Sequence, residues 1–303
     1  AERKISMRHL TVIASVVLVA CASSAAGPPT RLPAPAHGSI QWLGGPTALL
    51  EYGELRVITD PMLGPRGPNA FVLPKHPSTG EPNAAIARYV APAAHSLAGL
   101  NAILISHTHN DHVDSSAKEQ LPKHVPVVVA AAGADAMRAA GFTDVRGLDW
   151  GEAVTLNAGT SSLRVLAVPA HHAHDADLDR EVGKGNGYVL EWRDGPSSFR
   201  AYWTGDAVLS DETQRFVEQY GRVDLLLPHM GGVGGDGGRG LRTMNAEEAI
   251  ELVRRVDPKL VMPIHHTTFA HYREPIDALA QLAEERHETQ RFRFLRLGEK
   301  TAL

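Results

Sequence analysis

The chain of 303 residues contains a single cysteine, Cys21, and only 6% of its residues are aromatic. With one thiol, no disulfide can form within the chain, and a metal site built from several cysteine ligands is excluded. The apolar run near the N-terminus, Leu10 to Ala20, is too short to span a bilayer, which takes about 20 residues.

Basic residues are not in excess either, because 30 Lys and Arg stand against 34 Asp and Glu, giving a formal net charge of -4. A mildly acidic protein does not favour a polyanionic partner, and no basic stripe with interleaved aromatics is present. We therefore expect no nucleic acid partner. Hydrophobic residues make up 43% and charged residues 21%, the profile of a globular protein with a sizeable core. Histidine, by contrast, is abundant, with 16 residues.

Residues 1–21 are predicted to be a signal peptide. The tetrad Leu18-Val19-Ala20-Cys21 resembles the bacterial lipobox, whose cysteine is lipidated and becomes the new N-terminus. The alternative is a plain secretory signal cleaved near Ala20 or Ala26. The lipobox predicts a protein of the bacterial periplasm or cell surface that is anchored to the membrane through Cys21. Residues 22–37 are rich in Ala, Ser, Pro and Gly and are predicted to be a flexible tether.

Residues 38–303 are predicted to form one domain. Short β-prone runs alternate with helical patterns along it, which predicts an α/β domain with two sheets. Residues 61–92 carry much Pro, Gly and Asn and predict a long irregular loop. Strands are expected near 39–43, 47–52, 55–59, 102–105, 126–130, 162–168, 186–193, 198–203, 223–227 and 260–262, and helices near 114–122, 132–140, 211–220, 246–256 and 274–286.

A cluster of polar residues follows the apolar strand Ala102 to Ile105. It reads Ser106-His107-Thr108-His109-Asn110-Asp111-His112. Three histidines and an aspartate within six residues cannot all be satisfied by core packing, and imidazole and carboxylate are ligands that zinc and similar divalent metals prefer. The segment therefore predicts a metal site at the end of a buried strand.

Three further β-prone runs stop at candidate ligands. One ends at Pro169-Ala170-His171-His172, one at Thr204-Gly205-Asp206, and one at Pro263-Ile264-His265-His266. Strand ends that meet at one edge of a sheet allow polar ligands to converge without burying charge in the core. Together with the first cluster they supply enough candidates for two metal ions.

These motifs resemble the metallo-β-lactamase superfamily. Trp42-Leu43-Gly44, Thr59-Asp60-Pro61, Pro169-Ala170-x-His172 and Pro263-Ile264-His265 resemble the branch that holds N-acyl-phosphatidylethanolamine phospholipase D and ascorbate-6-phosphate lactonase. The resemblance covers about residues 39–296. It implies a four-layer αββα sandwich in a single domain and a metal-dependent hydrolase.

The resemblance also implies roles for individual residues. His107, His109 and His172 would hold a first metal ion, Asp111, His112 and His265 a second, and Asp206 would bridge the two. Hydroxide held between the ions would be the nucleophile, with Asp111 as a catalytic residue that orients it or accepts its proton. Zinc is the default for such ligands, while manganese and iron also suit them. The neighbours His171 and His266 remain alternatives to His172 and His265.

The expected substrate is a small or lipid-like molecule with an ester, lactone or phosphodiester bond, and no protein partner is predicted. Relatives of the phospholipase often place a histidine before Met-Asn-x-Glu-Glu-Ala, where this chain has Thr243, and this weakens the phospholipase assignment. The alternatives are a non-catalytic metal-binding lipoprotein and a β-lactamase-type amide hydrolase. Di-iron redox members usually present a Glu between the first two histidines and the Asp, and Thr108 and Asn110 argue against that class.

Two features near the predicted site have open interpretations. The glycine-rich run 231–240 is either a flap over the metals or an unstructured connector, and its Arg239 is a candidate contact for an anionic substrate. Tyr272 either points into the mouth of the site or packs, and the acidic segment 175–179 is expected to be a solvated loop.

Overall fold

The computed structural model describes residues 38–73, 80–81, 83–234 and 239–303. The described residues belong to one compact unit. The predicted signal peptide, the lipobox Cys21 and the tether lie outside the described residues. Within the described ranges, no helix is both long and apolar enough to cross a membrane.

The strands and helices alternate along the chain much as the periodicities predict. The strands are β1 (Gly38–Gly44), β2 (Thr47–Tyr52), β3 (Leu55–Thr59), β4 (Gly67–Val72), β5 (Ala85–Arg88), β6 (Ala102–Ile105), β7 (Val127–Ala130), β8 (Val145–Leu148), β9 (Ala153–Ala158), β10 (Ser161–Ala170), β11 (Gly185–Asp194), β12 (Ser197–Trp203), β13 (Leu225–Leu227), β14 (Leu260–Val261) and β15 (Lys300–Ala302). The helices are α1 (Ser115–Gln120), α2 (Ala134–Ala139), α3 (Ala176–Val182), α4 (Asp211–Glu218), α5 (Ala246–Val256) and α6 (Ile276–Glu285).

The strands form two large sheets and a hairpin. One sheet has seven strands in the order β15-β1-β2-β3-β6-β7-β8, the other has six in the order β14-β13-β12-β11-β10-β9, and β4 pairs with β5. The pairs β3–β6, β6–β7, β12–β13 and β13–β14 are parallel, so the carboxyl ends of these strands lie at shared sheet edges.

The core lies between the two sheets, and the alternation of β10 shows why. Leu163 and Val165 belong to the cluster between the sheets, whereas Leu166 and Val168 pack with the α5 residue Val253 on the outer face. Successive side chains of a strand point to opposite faces, so the part of β10 that is covered on both sides, Val165 to Val168, is apolar on both faces.

Helices cover the outer face of each sheet. Ala117 of α1 and Met137 of α2 pack with Ile103 and Ile105 of β6 on one side, and α5 covers the other sheet. The order is therefore helix, sheet, sheet, helix, and the predicted four-layer αββα sandwich is confirmed.

Two local predictions are wrong. Residues 61–92 contain the hairpin of β4 and β5, which is anchored by Phe71 against Phe269. The acidic segment forms α3, because Asp175 accepts a hydrogen bond from the backbone N–H of Leu178 and caps the helix at its N-terminus.

Candidate metal centre

The loop after β6 is anchored by a buried aspartate. Asp60 follows β3, the parallel neighbour of β6, and its carboxylate accepts hydrogen bonds from the backbone N–H and the hydroxyl of Ser106, both at 2.7 Å. It also accepts from Nδ1 of His112 at 2.7 Å. With its proton on Nδ1, His112 keeps the lone pair on Nε2, which is buried without a hydrogen-bond partner among the described residues.

His107, His109 and His172 form a first cluster, whose ligand atoms lie within 4.8 Å of one another. The ring centroid of His107 lies 4.3 Å from that of His109 and 4.6 Å from that of His172. His109 donates a hydrogen bond from Nε2 to the carbonyl of Val182 at 3.0 Å. The lone pair of this ring is therefore on Nδ1, where a metal ion could bind it. Nε2 of His107 and both ring nitrogens of His172 are buried with no partner in the described ranges.

Asp111, His112, Asp206 and His265 form a second cluster. Nε2 of His112 lies 3.1 Å from Asp206 Oδ2 and 3.8 Å from Asp111 Oδ2. Nε2 of His265 lies 3.4 Å from Asp206 Oδ1 and 4.0 Å from Asp111 Oδ2. His265 donates from Nδ1 to the carbonyl of Met230 at 2.9 Å, so its Nε2 keeps the lone pair.

The spacing of the second cluster suits a divalent metal ion. A tetrahedral zinc site with bonds of about 2.0–2.1 Å separates its ligand atoms by about 3.3–3.4 Å. The four separations between ligand atoms range from 3.1 to 4.0 Å, which brackets that value. Buried imidazole nitrogens with free lone pairs are otherwise costly, because each has given up water without gaining a partner. The residues present therefore fit metal ions at both clusters.

The two clusters adjoin, since the rings of His107 and His112 lie only 4.0 Å apart. The structure thus brings together all seven predicted ligands. Asp206 groups by distance with the second cluster, and its role as a bridge stays a prediction.

Burial and charge set the protonation of these groups. Burial lowers the pKa of His172 to about 4 and that of His265 to about 3, so both rings are neutral at pH 7 and able to bind a metal. Burial alone would raise the pKa of Asp206, but the neighbouring histidines His112, His265 and His229 together outweigh it and lower that pKa well below its usual range. With Asp60 and Asp111, the centre gathers three carboxylates around His112, a charge distribution that a divalent cation would balance.

The two alternative histidines have other partners. His171 contacts Asp179 through Nδ1 at 2.7 Å and Glu212 through Nε2 at 3.0 Å, so neither nitrogen is available. His266 contacts Thr267 and the carbonyl of Pro263, and its ring packs 4.6 Å from that of Trp42. Of each adjacent pair, the structure places His172 and His265 in the clusters.

Two histidines outside the predicted ligand set, His229 and His271, also lie at the second cluster. His229 follows β13 and contacts Asp206 through Nδ1 at 2.9 Å, and His271 contacts Asp111 Oδ2 through Nε2 at 3.1 Å. A sequence signal existed for His229, because the run Leu225–Leu227 ends just before it, as the other ligand-bearing strands do. His271 lies in a loop after β14, and no local pattern marks it.

The structure bears on both open interpretations near the centre. Arg239 pairs with Glu181 at 2.8 Å and Asp175 at 3.1 Å, so it holds the end of the glycine-rich run against α3 and is not a free anion contact. Tyr272 packs its ring 4.7 Å from His265, and its buried hydroxyl has no partner among the residues that the structure describes. Residues 235–238 of the run lie outside the described part.

Comparison with known proteins agrees with this geometry. A family model described as the beta-lactamase superfamily domain matches residues 56–266. The chain is 29% identical over 269 residues to an uncharacterised protein of Mycobacterium tuberculosis, with 83% of this chain and 65% of that protein covered. The chain thus spans about two thirds of that relative's length.

Two further similarities concern proteins named for hydrolysis. The N-acyl-phosphatidylethanolamine-hydrolyzing phospholipase D 1 of Caenorhabditis elegans is 25% identical over 272 residues, which cover 82% of this chain and 70% of the enzyme. The crystal structure of an isothiocyanate hydrolase from Delia radicum gut bacteria is 19% identical and superimposes with a TM-score of 0.70, covering 88% of this chain and 99% of that one. At that identity the structural likeness shows the fold alone.

Proposed function

Because the chain belongs to the beta-lactamase superfamily domain family, we propose that it is a metal-dependent hydrolase that uses two metal ions to cleave an ester, lactone or phosphodiester bond. The observation that carries the proposal is the convergence of seven His and Asp side chains, six buried and His109 half-buried, in two adjoining clusters, with ring nitrogens that have no hydrogen-bond partner within the described ranges.

In the proposed centre, His107, His109 and His172 would hold one ion, Asp111, His112 and His265 would hold the other, and Asp206 would serve both. Such ions, when bound, lower the pKa of water and polarise the oxygen of the scissile bond. Zinc is the first candidate for these ligands, and manganese and iron are alternatives.

Asp111 is the residue best placed to handle a proton. Its Oδ2 contacts His271 at 3.1 Å, whereas its Oδ1 is buried without a partner in the described part of the chain. Burial alone would raise the pKa of Asp111, but the neighbouring histidines His112 and His271 together outweigh it and hold that pKa well below its usual range. An ionised, unengaged Oδ1 can accept a hydrogen bond from a water molecule and so orient it, and acceptance of its proton is the alternative role.

A phosphodiester is the first substrate class to test, because one relative is named as a phospholipase D. The absence of a histidine at Thr243 argues the other way, and His271 is a buried histidine on the second cluster that could serve a phosphoryl oxygen instead. Lactones and carboxylesters therefore belong in the same screen.

The deciding experiment combines metal content with activity in the purified chain. Wild type, Asp111→Asn and the control Asp135→Asn are loaded with Zn²⁺ and assayed on a phosphodiester, a lactone, a carboxylester and a β-lactam. Asp135 lies on α2 with its side chain 98% exposed. We expect two bound ions in wild type, and one activity that Asp111→Asn loses and Asp135→Asn keeps. Wild type that binds no metal, or turnover unchanged in Asp111→Asn, would contradict the proposal.

We further propose that the protein is anchored in the bacterial periplasm or at the cell surface through a lipidated Cys21. In a bacterial host, Cys21→Ser should move the protein from the membrane pellet to the soluble fraction. A wild-type chain that is already soluble would exclude the anchor and favour the plain secretory signal.

A further inference from the structure

Trp203 and His229 form a buried pair behind Asp206, and the proposed function assigns no role to this pair. Trp203 ends β12 and His229 follows β13, the parallel neighbour of that strand, and both side chains are fully buried. The backbone N–H of His229 donates to the hydroxyl of Thr204 at 2.9 Å, so the histidine is fixed at the strand ends. Its ring lies parallel to that of His265, 4.8 Å away.

The hydrogen bonds of His229 determine its tautomer. The indole Nε1–H of Trp203 lies 2.7 Å from Nε2 of His229, and an indole can only donate, so Nε2 must accept. In a neutral imidazole the proton is then on Nδ1, which lies 2.9 Å from Asp206 Oδ1 and donates to it. Both ring nitrogens are thereby engaged. His229 lies close enough to the second cluster to be counted as a ligand, but it has no lone pair left to give a metal ion.

We infer that His229 is a positioning residue for Asp206, held in its donor tautomer by Trp203. The inference rests on the proposed function, because it concerns the carboxylate expected to lie between the metal ions. The bond to Oδ1 fixes the rotation of the carboxylate and leaves Oδ2 facing Nε2 of His112 at 3.1 Å. Partners of this kind orient ligands, and their loss typically lowers metal affinity about 10- to 100-fold.

Trp203 is itself held by the sandwich core. Its ring stacks on Tyr188 at 5.5 Å, and the hydroxyl of Tyr188 donates to the carbonyl of Ile105 at 2.9 Å. Ile105 is the last residue of β6, before the histidine-rich loop. Tyr188 and Trp203 thus link β6, the strand before the first ligands, to His229, the histidine that orients Asp206.

The test uses three substitutions at the pair. His229→Ala removes the donor, and His229→Asn restores one, because its amide nitrogen is as many bonds from the backbone as Nδ1 is. Trp203→Phe keeps His229 but removes the constraint on its tautomer. The matched control is Trp192→Phe in the same core, since Trp192 is equally buried and its Nε1–H has no partner within the described chain.

Zn²⁺ affinity is measured on the full chain by competition with a chromophoric chelator, and the melting temperature of the metal-free protein verifies folding. We expect His229→Ala to weaken one of two bound equivalents by about 10- to 100-fold. His229→Asn should recover most of this loss, Trp203→Phe should show part of it, and Trp192→Phe should match wild type.

Each remaining outcome overturns a stated part. If His229→Ala binds both ions as wild type does, Asp206 does not need His229 for its position. If Trp203→Phe behaves like Trp192→Phe, the tautomer of His229 does not depend on the hydrogen bond from Trp203. If His229→Asn is as weak as His229→Ala while both fold, His229 is a ligand. Wild type binding no metal would instead refute the proposed function, a result distinct from all of these.

Discussion

Replacing Asp60 by asparagine tests the centre through a residue that lies outside the predicted ligand set. Asp60 accepts three hydrogen bonds, from the backbone and hydroxyl of Ser106 and from Nδ1 of His112. In Asp60→Asn, one amide oxygen can still accept from the Ser106 backbone. The amide nitrogen then faces His112 with protons only, so His112 must place its lone pair on Nδ1 and its proton on Nε2.

That proton would occupy the atom that lies 3.1 Å from Asp206 and 3.8 Å from Asp111. His112 then cannot bind a metal without first breaking its new hydrogen bond. A loss of 10- to 100-fold in affinity corresponds to about 1.4–2.7 kcal/mol. Losing a buried hydrogen bond to a charged group should also destabilise the metal-free protein by about 1.5–3 kcal/mol.

Calorimetric Zn²⁺ titration and urea unfolding of Asp60→Asn measure the two effects separately. The control is Asp194→Asn. The carboxylate of Asp194 accepts hydrogen bonds from the hydroxyls of Thr160 and Ser161, and it lies at the opposite end of β10 and β11 from the ligands. It should bind zinc as wild type does. If Asp60→Asn binds zinc with wild-type affinity, the proposed tautomer control of His112 is wrong.

Three other predictions follow from the same structure. Zn²⁺ at 100 times the dissociation constant should stabilise the wild type by about 2.7 kcal/mol per site in a thermal melt, and an equal shift in Asp111→Asn would contradict its role as a ligand. For Glu191, burial raises the pKa, but the bonds from Arg164 and Arg200 outweigh it and lower the pKa below the ordinary 4.5. The stabilisation is therefore present above that value and lost as pH falls through the lowered pKa, so Glu191→Gln should cost about 1 kcal/mol at pH 7 and progressively less as the pH is lowered below 4.5, measured by urea unfolding; a cost independent of pH would refute this. Leu190 is fully buried between the sheets, so Leu190→Ala should lower the free energy of unfolding by about 2–5 kcal/mol. Val72 is 47% exposed, so Val72→Ala should change that free energy by less than about 0.5 kcal/mol.

Local patterns in the sequence determined much of the fold. The run Ala102 to Ile105 is apolar throughout because β6 is covered by the second sheet on one face and by α1 and α2 on the other. The residue types of Ser106 to His112 left few roles other than metal binding for a loop that follows such a strand. The hairpin of β4 and β5 escaped prediction because its strands are stabilised by distant aromatic contacts, such as Phe71 with Phe269, and not by a marked alternation.

Only the tertiary structure decided which histidines meet. His171 and His172 are adjacent in sequence, but Asp179 and Glu212 engage both nitrogens of the first and leave the second free. His229 and His271 approach Asp206 and Asp111, partners 23 and 160 residues away in the chain. Sequence spacing carries no information about such distances, because they are set by sheet order and by the crossovers between strands. The ligand chemistry was therefore legible in the sequence, while the hydrogen bonds that orient the ligands came from the packing of the sandwich.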